Sequence, residues 1–176
     1  MKKIIAFSGS NSSSSINQKL VNIVSSYVKN AEVEVIDLRK FDAPIFSVDL
    51  EKEHGHPQSM KDLFELMSSA DGFIVSSPEH NGMVPAFFKN VIDWQSRMGR
   101  KLFNDKPAVF LAASPGGRAG ASVLGHLLSI MPFQGAKVVG GHGIGNFHDK
   151  LIDGELIAGD DQDKIKSLIA DLEAQL

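Results

Sequence analysis

The stretch Lys2-Lys3-Ile4-Ile5-Ala6-Phe7 runs directly into Ser8-Gly9-Ser10-Asn11-Ser12-Ser13-Ser14-Ser15-Ile16-Asn17, and its reading decides the fold. Ile4-Ile5-Ala6-Phe7 behind two lysines reads as a buried strand. Beyond the serines, Leu20, Val24, Tyr27 and Val28 recur at helical spacing, so the order is strand, small-residue loop, helix. A helix N-terminus carries unpaired N–H groups and the positive end of the macrodipole. Small residues let an anion approach that backbone, and hydroxyls add donors. The combination suits a phosphate group. The plainer reading of the same stretch is a flexible connection ending in an N-cap.

Working outward, the alternation repeats. Glu32 to Leu38 carry Val33, Val35 and Ile36, a second strand. Residues 40–57 mix prolines, a glycine and many charges and read as a long surface loop. Gln58 to Ala70 place Met60, Leu63, Phe64 and Met67 on one helical face; Asp71-Gly72 breaks that helix. Phe73-Ile74-Val75 form a third strand, ending at Ser76-Ser77-Pro78. Pro85 suits the first turn of a helix reaching about Trp94. Pro107 to Ala113 make a fourth strand, Gly117 to Met131 a helix, and Ala136 to Val139 a short fifth strand. Ile165, Leu168, Ile169, Leu172 and Leu176 mark a C-terminal amphipathic helix. Five strands separated by helices favour an α/β fold, a parallel sheet covered on both faces. Loops 8–17, 78–85 and 114–120 each follow a strand, so all three should open on one edge, where such sheets bind ligands.

Bulk properties narrow the function. The chain has 176 residues, a length suited to one domain spanning 1–176, and 43% hydrophobic residues. A formal net charge of -3 gives no electrostatic reason to expect nucleic acid. With no cysteine, disulfides, thiolate zinc sites and cysteine nucleophiles are excluded. The N-terminal apolar run is too short for a signal peptide, and no stretch approaches the ~20 apolar residues that cross a bilayer. The expectation is a cytoplasmic protein without membrane attachment.

The second loop, Ser77-Pro78-Glu79-His80-Asn81-Gly82-Met83-Val84-Pro85, combines a fixed proline angle with an Asn-Gly pair that favours positive φ. It should form a rigid shelf whose amides can face a ligand edge. The third, Ala113-Ser114-Pro115-Gly116-Gly117-Arg118-Ala119-Gly120, permits close backbone approach to a flat ligand. A planar heterocycle with a phosphate tail fits all three. Taken singly, Asn81-Gly82 reads equally as a plain turn and Gly116-Gly117 as a plain strand-to-helix connection.

These pieces together resemble the NAD(P)H-dependent FMN reductases, relatives of flavodoxin that include quinone and azo reductases. The resemblance rests on Gly9-Ser10 with Ser15-Ile16-Asn17, on Pro78-Glu79-His80-Asn81-Gly82, on Pro85 with Lys89-Asn90-Val91-Ile92-Asp93-Trp94, and on Ser114-Pro115-Gly116-Gly117. It implies a flavodoxin-like doubly wound sheet of order 2-1-3-4-5. It also implies hydride transfer from NADPH or NADH to bound FMN, then reduction of a second acceptor such as free flavin, quinone or azo compound. The implied cofactor-binding residues are Ser8, Ser10, Ser12, Ser15, Ile16, Asn17, Pro78, Glu79, His80, Asn81, Gly82, Ser114, Gly116 and Gly117. Ser10, Ser15 and Asn17 go to the phosphate, with Ser12 as an extra donor. Residues 78–82 border the ring mostly through main-chain amides, and Ser114, Gly116 and Gly117 flank its other side. No catalytic side chain is expected, since the flavin performs the redox step. Two departures stand out: Asn11-Ser12 occupy the usual Leu-Arg positions, and His80 the usual Tyr. Loss of the guanidinium points to weaker FMN binding, because a hydrogen bond to a charged partner contributes about 1.5–3 kcal/mol against about 0.5–1.5 for a neutral one.

Several residues carry two readings. Glu79 is expected to cap the turn after it in preference to moving protons. Arg118 either meets a nicotinamide cofactor's phosphate or is simply solvated. Trp94 with Asp93 either packs against a second subunit in a homodimer or homotetramer, as the resemblance implies, or is an ordinary core aromatic. His54 and His56 have metal-ligand spacing but no patterned third ligand, so a surface loop is the better account. Asp160, Asp161 and Asp163 suit the positive end of the last helix. An electron carrier, or a nucleotide-binding module without turnover, are the competing functions. Phosphatase, receiver and serine-hydrolase chemistry lack their required residues.

Overall fold

The computed structural model describes residues 1–99 and 101–176. Strands β1 (Lys3–Ser8), β2 (Glu32–Ile36), β3 (Gly72–Ser76), β4 (Lys106–Ala113) and β5 (Ala136–Ile144) form one parallel sheet in the order β2-β1-β3-β4-β5. This is the flavodoxin-like arrangement. Helices α1 (Ile16–Ser25) and α6 (Asp160–Glu173) cover one face. On the other lie α3 (Gln58–Ser68), α4 (Ala86–Ser96) and α5 (Ala121–Ile130).

The central strands are apolar without interruption because both faces are buried. Ile5, Phe7, Phe73, Val75, Phe110 and Ala112 point into the α3–α4–α5 core, with Phe88, Met60, Leu63 and Leu127. Their neighbours Ile4, Ala6, Ile74, Val109, Leu111 and Ala113 point into the α1–α6 core, with Leu20, Val24, Ile165 and Ile169. That alternation is the period-2 geometry of a strand, realised on each strand in register. Strand order reverses between β1 and β3, so the chain diverges there at the carboxyl edge and leaves a crevice.

Four elements differ from the sequence expectation. Residues 40–57 are not all loop: α2 (Val48–His54) forms there, with Ser47 Oγ accepting from Leu50 N–H at 3.1 Å as its cap. The fifth strand runs on to Ile144, because Gly140, Gly141 and Gly143 pair with β4 although they add no apolar signal. Helix α5 starts at Ala121, not Gly117, since Ala119 and Gly120 take left-handed φ of 58° and 63°. Beyond β5, a small hairpin of β6 (Leu151–Ile152) and β7 (Glu155–Leu156) turns at Asp153-Gly154, a positive-φ pair.

Candidate functional site

The crevice is bordered by all three singled-out loops. Ser10, Ser12, Ser14, Ser15, Ile16 and Asn17 come from the first, Pro78, Glu79 and His80 from the second, and Ala113, Ser114 and Pro115 from the third; together they enclose about 320 Å³.

The first loop is held by its own hydroxyls. Ser10 N–H donates to Ser8 Oγ at 3.2 Å, Ser12 N–H to Ser10 Oγ at 3.2 Å, and Ser14 N–H to Ser12 Oγ at 3.3 Å. Ser15 is the N-cap of α1, its Oγ accepting from Gln18 N–H at 3.2 Å. Where a serine oxygen accepts, its O–H proton remains a possible donor. The amides of Ile16 and Asn17 lie in the first helical turn, where no preceding carbonyl can reach them. Gly9 is required by packing: a Cβ there would sit 2.6 Å from Phe88 Cδ1.

The Asn17 side chain is committed to the protein. It is 1% exposed, its Oδ1 accepts from Ser76 Oγ–H at 2.7 Å and Ala113 N–H at 2.8 Å, and its Nδ2 donates to Ala113 O at 3.0 Å. Asn17 therefore joins α1 to the ends of β3 and β4 through Oδ1 and one Nδ2–H, while its main-chain N–H lies in the first helical turn. The sequence reading gave Asn17 to the phosphate without naming an atom, and Asn17 does border the crevice. Ser8 is likewise buried beneath the loop, its oxygen serving Ser10.

The second loop is the expected shelf. His80 and Met83 exchange two backbone hydrogen bonds of 2.9 and 3.1 Å, and the turn residues Asn81 and Gly82 take φ of 53° and 80°. This is a two-residue hairpin turn of the kind Asn-Gly favours. Glu79 does not cap the turn after it. Its Oε2 accepts from Ser122 N–H and Val123 N–H, each at 3.0 Å, at the start of α5.

In the third loop, Ser114 N–H donates to Ile144 O at 3.0 Å, and Asn146 N–H to Gly116 O at 3.1 Å, so the chain after β5 props it up. A Cβ on Gly116 would meet nothing within 4 Å, and one on Gly117 would meet only Asn146, at 3.8 and 4.0 Å. Neither glycine has positive φ. The protein's own packing and backbone therefore do not demand glycine here, and the open space beside the pocket suits a ligand that approaches closely. Gly116 and Gly117, with Asn81 and Gly82, stand outside the twelve bordering residues; Ser14, Ala113 and Pro115, not assigned from sequence, stand among them. All three lie inside the quoted loops, so their position was the available signal.

None of those bordering residues is Lys or Arg. Arg118 lies on the surface, its Nη2 3.4 Å from Ser122 Oγ. Trp94 is a core residue: its ring is buried edge-on to Phe46 at 5.1 Å, and Nε1–H donates to Pro44 O at 2.7 Å. The last helix starts at Asp160 with Gly159 at the N-cap position and no side-chain cap, although Asp160, Asp161 and Asp163 do lie in its first turn. Asp161 instead meets His142 Nε2 at 2.8 Å and Lys150 Nζ at 3.0 Å, a pairing that the scattered histidines did not announce.

The sequence model of the NADPH-dependent FMN reductases matches residues 2–149. The chain belongs to that family. An NAD(P)H-dependent FMN reductase of Pseudomonas aeruginosa is 30% identical over 132 residues, covering 74% of this chain and 70% of the relative. A quinone reductase of Escherichia coli is 36% identical over 98 residues, 56% of this chain and 52% of the relative, so the match spans about half of each. The flavoenzyme NAD(P)H:(acceptor) oxidoreductase FerB of Paracoccus denitrificans superposes with a TM-score of 0.78 at 21% identity over 99% of both chains, which speaks for the fold. Family membership makes the chain an FMN-dependent oxidoreductase with NAD(P)H as hydride donor. Among the described residues no helix is long and apolar enough to cross a membrane.

Proposed function

We propose that residues 1–176 act as one flavin-binding unit that passes electrons from NAD(P)H, through FMN in the crevice, to a small acceptor such as a quinone or a free flavin. The observation carrying this reading is that two chemistries adjoin, one in the crevice and the other along the two loops that continue from its rim. First-turn amides of Ile16 and Asn17, with hydroxyls of Ser10, Ser12 and Ser15, suit a phosphate. Main chain of Pro78–Gly82 on one side and of Ser114, Gly116 and Gly117 on the other suits a flat ring. FMN, when bound, supplies the redox chemistry; the chain's residues hold the phosphate, orient the ring and keep its edge open to donor and acceptor. No protein acid or base is assigned.

The protein works as a homodimer or homotetramer in the cytoplasm in this reading. Ile45, 84% exposed, stands with Ala86 and Phe87 in an apolar depression that includes Asn11 of the first loop. A second subunit seated there would lie beside the flavin, and Trp94, being internal, would take no part.

An absorbance titration with FMN, followed by anaerobic addition of NADPH or NADH, tests the whole reading. Uptake of FMN and bleaching of its visible band are expected. Uptake without bleaching by either nucleotide would leave an electron carrier, and no uptake would leave neither function.

A further inference from the structure

Helix α5 cannot cap itself. Its N-cap position is Gly120 at φ 63°, and a Cβ there would lie 2.8 Å from Ala112 Cβ, so a side chain with a capping oxygen does not fit. The orphan amides of Ser122 and Val123 are taken by Glu79 Oε2, each at 3.0 Å, from the opposite loop. A carboxylate at a helix N-terminus is further favoured by the macrodipole. The same Glu79 borders the crevice between Pro78 and His80, while α5 is entered directly from the loop carrying Ser114, Gly116 and Gly117.

We propose that Glu79 is the positioning residue of the ring slot. It ties the shelf of loop 78–83 to the helix that ends loop 114–120, and so sets the spacing of the two walls. This rests on the flavin reading of the pocket and goes beyond it, because it assigns the side chain to the protein's own geometry and not to the ligand. The first loop is tied separately, through Asn17 to Ser76 and Ala113. Glu79 therefore governs affinity for the ring and leaves affinity for the phosphate to the serine loop.

The test compares riboflavin, which lacks the phosphate, with FMN by fluorescence titration. It uses the unaltered protein, Glu79→Ala, Glu79→Asp and Glu79→Gln, with thermal unfolding recorded in the same buffer. Affinity for both flavins should fall in parallel by about tenfold in the Ala and Asp variants. Asp keeps the charge but loses the reach. Gln keeps a carbonyl oxygen at the right length and should restore most of the binding. A lower melting temperature with both flavin affinities unchanged within about twofold would reduce Glu79 to a helix cap and overturn the proposal. Loss for FMN alone would do the same, by placing the effect at the phosphate. Binding of neither flavin by the unaltered protein would sink the flavin reading itself, and this inference with it.

Discussion

Residues 8–17 and 40–57 look equally loose in sequence, but their middles are held differently. Along its serine run the first is held by neighbours, serine oxygens accepting from amides two or three residues on, while Gly9 and Asn17 at its two ends anchor it to Ser76 and Ala113. The second is held from outside. Asn90 accepts from Phe46 N–H and donates to Ala43 O and Pro44 O, Trp94 donates to Pro44 O, Ser59 Oγ donates to Asp42 O, and Arg97 pairs with Glu51. Short-range bonds between adjacent small residues can be exchanged for bonds to a ligand without disturbing the core. Bonds that reach across 40 or more residues cannot, because they carry the packing of α4 with them. Polar composition alone does not separate a binding loop from a scaffold loop; what marks the serine run 10–15 is that its side-chain bonds stay within reach of its own backbone.

Truncation of the scaffold should have the largest effect. Trp94→Ala removes a buried aromatic and the hydrogen bond to Pro44, and should cost about 4 kcal/mol in chemical denaturation. FMN affinity of the protein that remains folded should change little. A large loss of FMN affinity there would break the division between the two segments.

Asn17→Ala tests the point where the binding loop is itself anchored. It would leave Ala113 N–H, Ala113 O and the Ser76 hydroxyl unpaired in the interior, a cost of about 3 kcal/mol. Here stability and FMN affinity should fall together. Loss of binding with unchanged stability would contradict the anchoring role of the Asn17 side chain and point to its direct contact with the phosphate.

Joint replacement of Ser10 and Ser15 by alanine should separate the two properties in the other direction. Stability should drop by about 1 kcal/mol, chiefly from the α1 cap, while FMN affinity drops about a hundredfold. Equal losses would contradict the anion-site assignment.

The smallest effect belongs far from either segment, at Asp161. Burial raises its pKa, but hydrogen bonds from His142 and Lys150 outweigh that and hold the carboxyl below its ordinary range. A depressed folded-state pKa adds stability above the unfolded carboxylate pKa, and that stability disappears as pH falls through the folded value. Asp161→Asn should therefore cost up to about 1 kcal/mol near neutrality and nothing in strong acid, as read from urea midpoints across pH. An unchanged difference at all pH values would remove the ion-pair account.

The sheet was legible because buried parallel strands write themselves as unbroken apolar runs, as in Ile4-Ile5-Ala6-Phe7 and Ala108-Val109-Phe110-Leu111. The extended β5 was not, because Gly140, Gly141 and Gly143 lack side chains to carry the pattern and are in the strand through pairing with β4. Asn81-Gly82 was read correctly as a positive-φ turn, since that preference is local. Polar side chains fared worse. Asn17, Glu79 and Asp161 all sit where a local reading expects an anion contact or a cap, and all three reach partners 19 to 96 residues away.

By itself the sequence determined the five sheet strands and the helices between them in outline, that three small-residue loops would share one edge, and which family the chain resembles. Those follow from local periodicity, turn preference and the obligatory crossovers of a parallel sheet. Only the tertiary structure decided which polar atoms remain available at the crevice. A hydrogen-bond donor or acceptor has several partners within chemical reach along the chain, and it is folding that chooses one of them and leaves the others free.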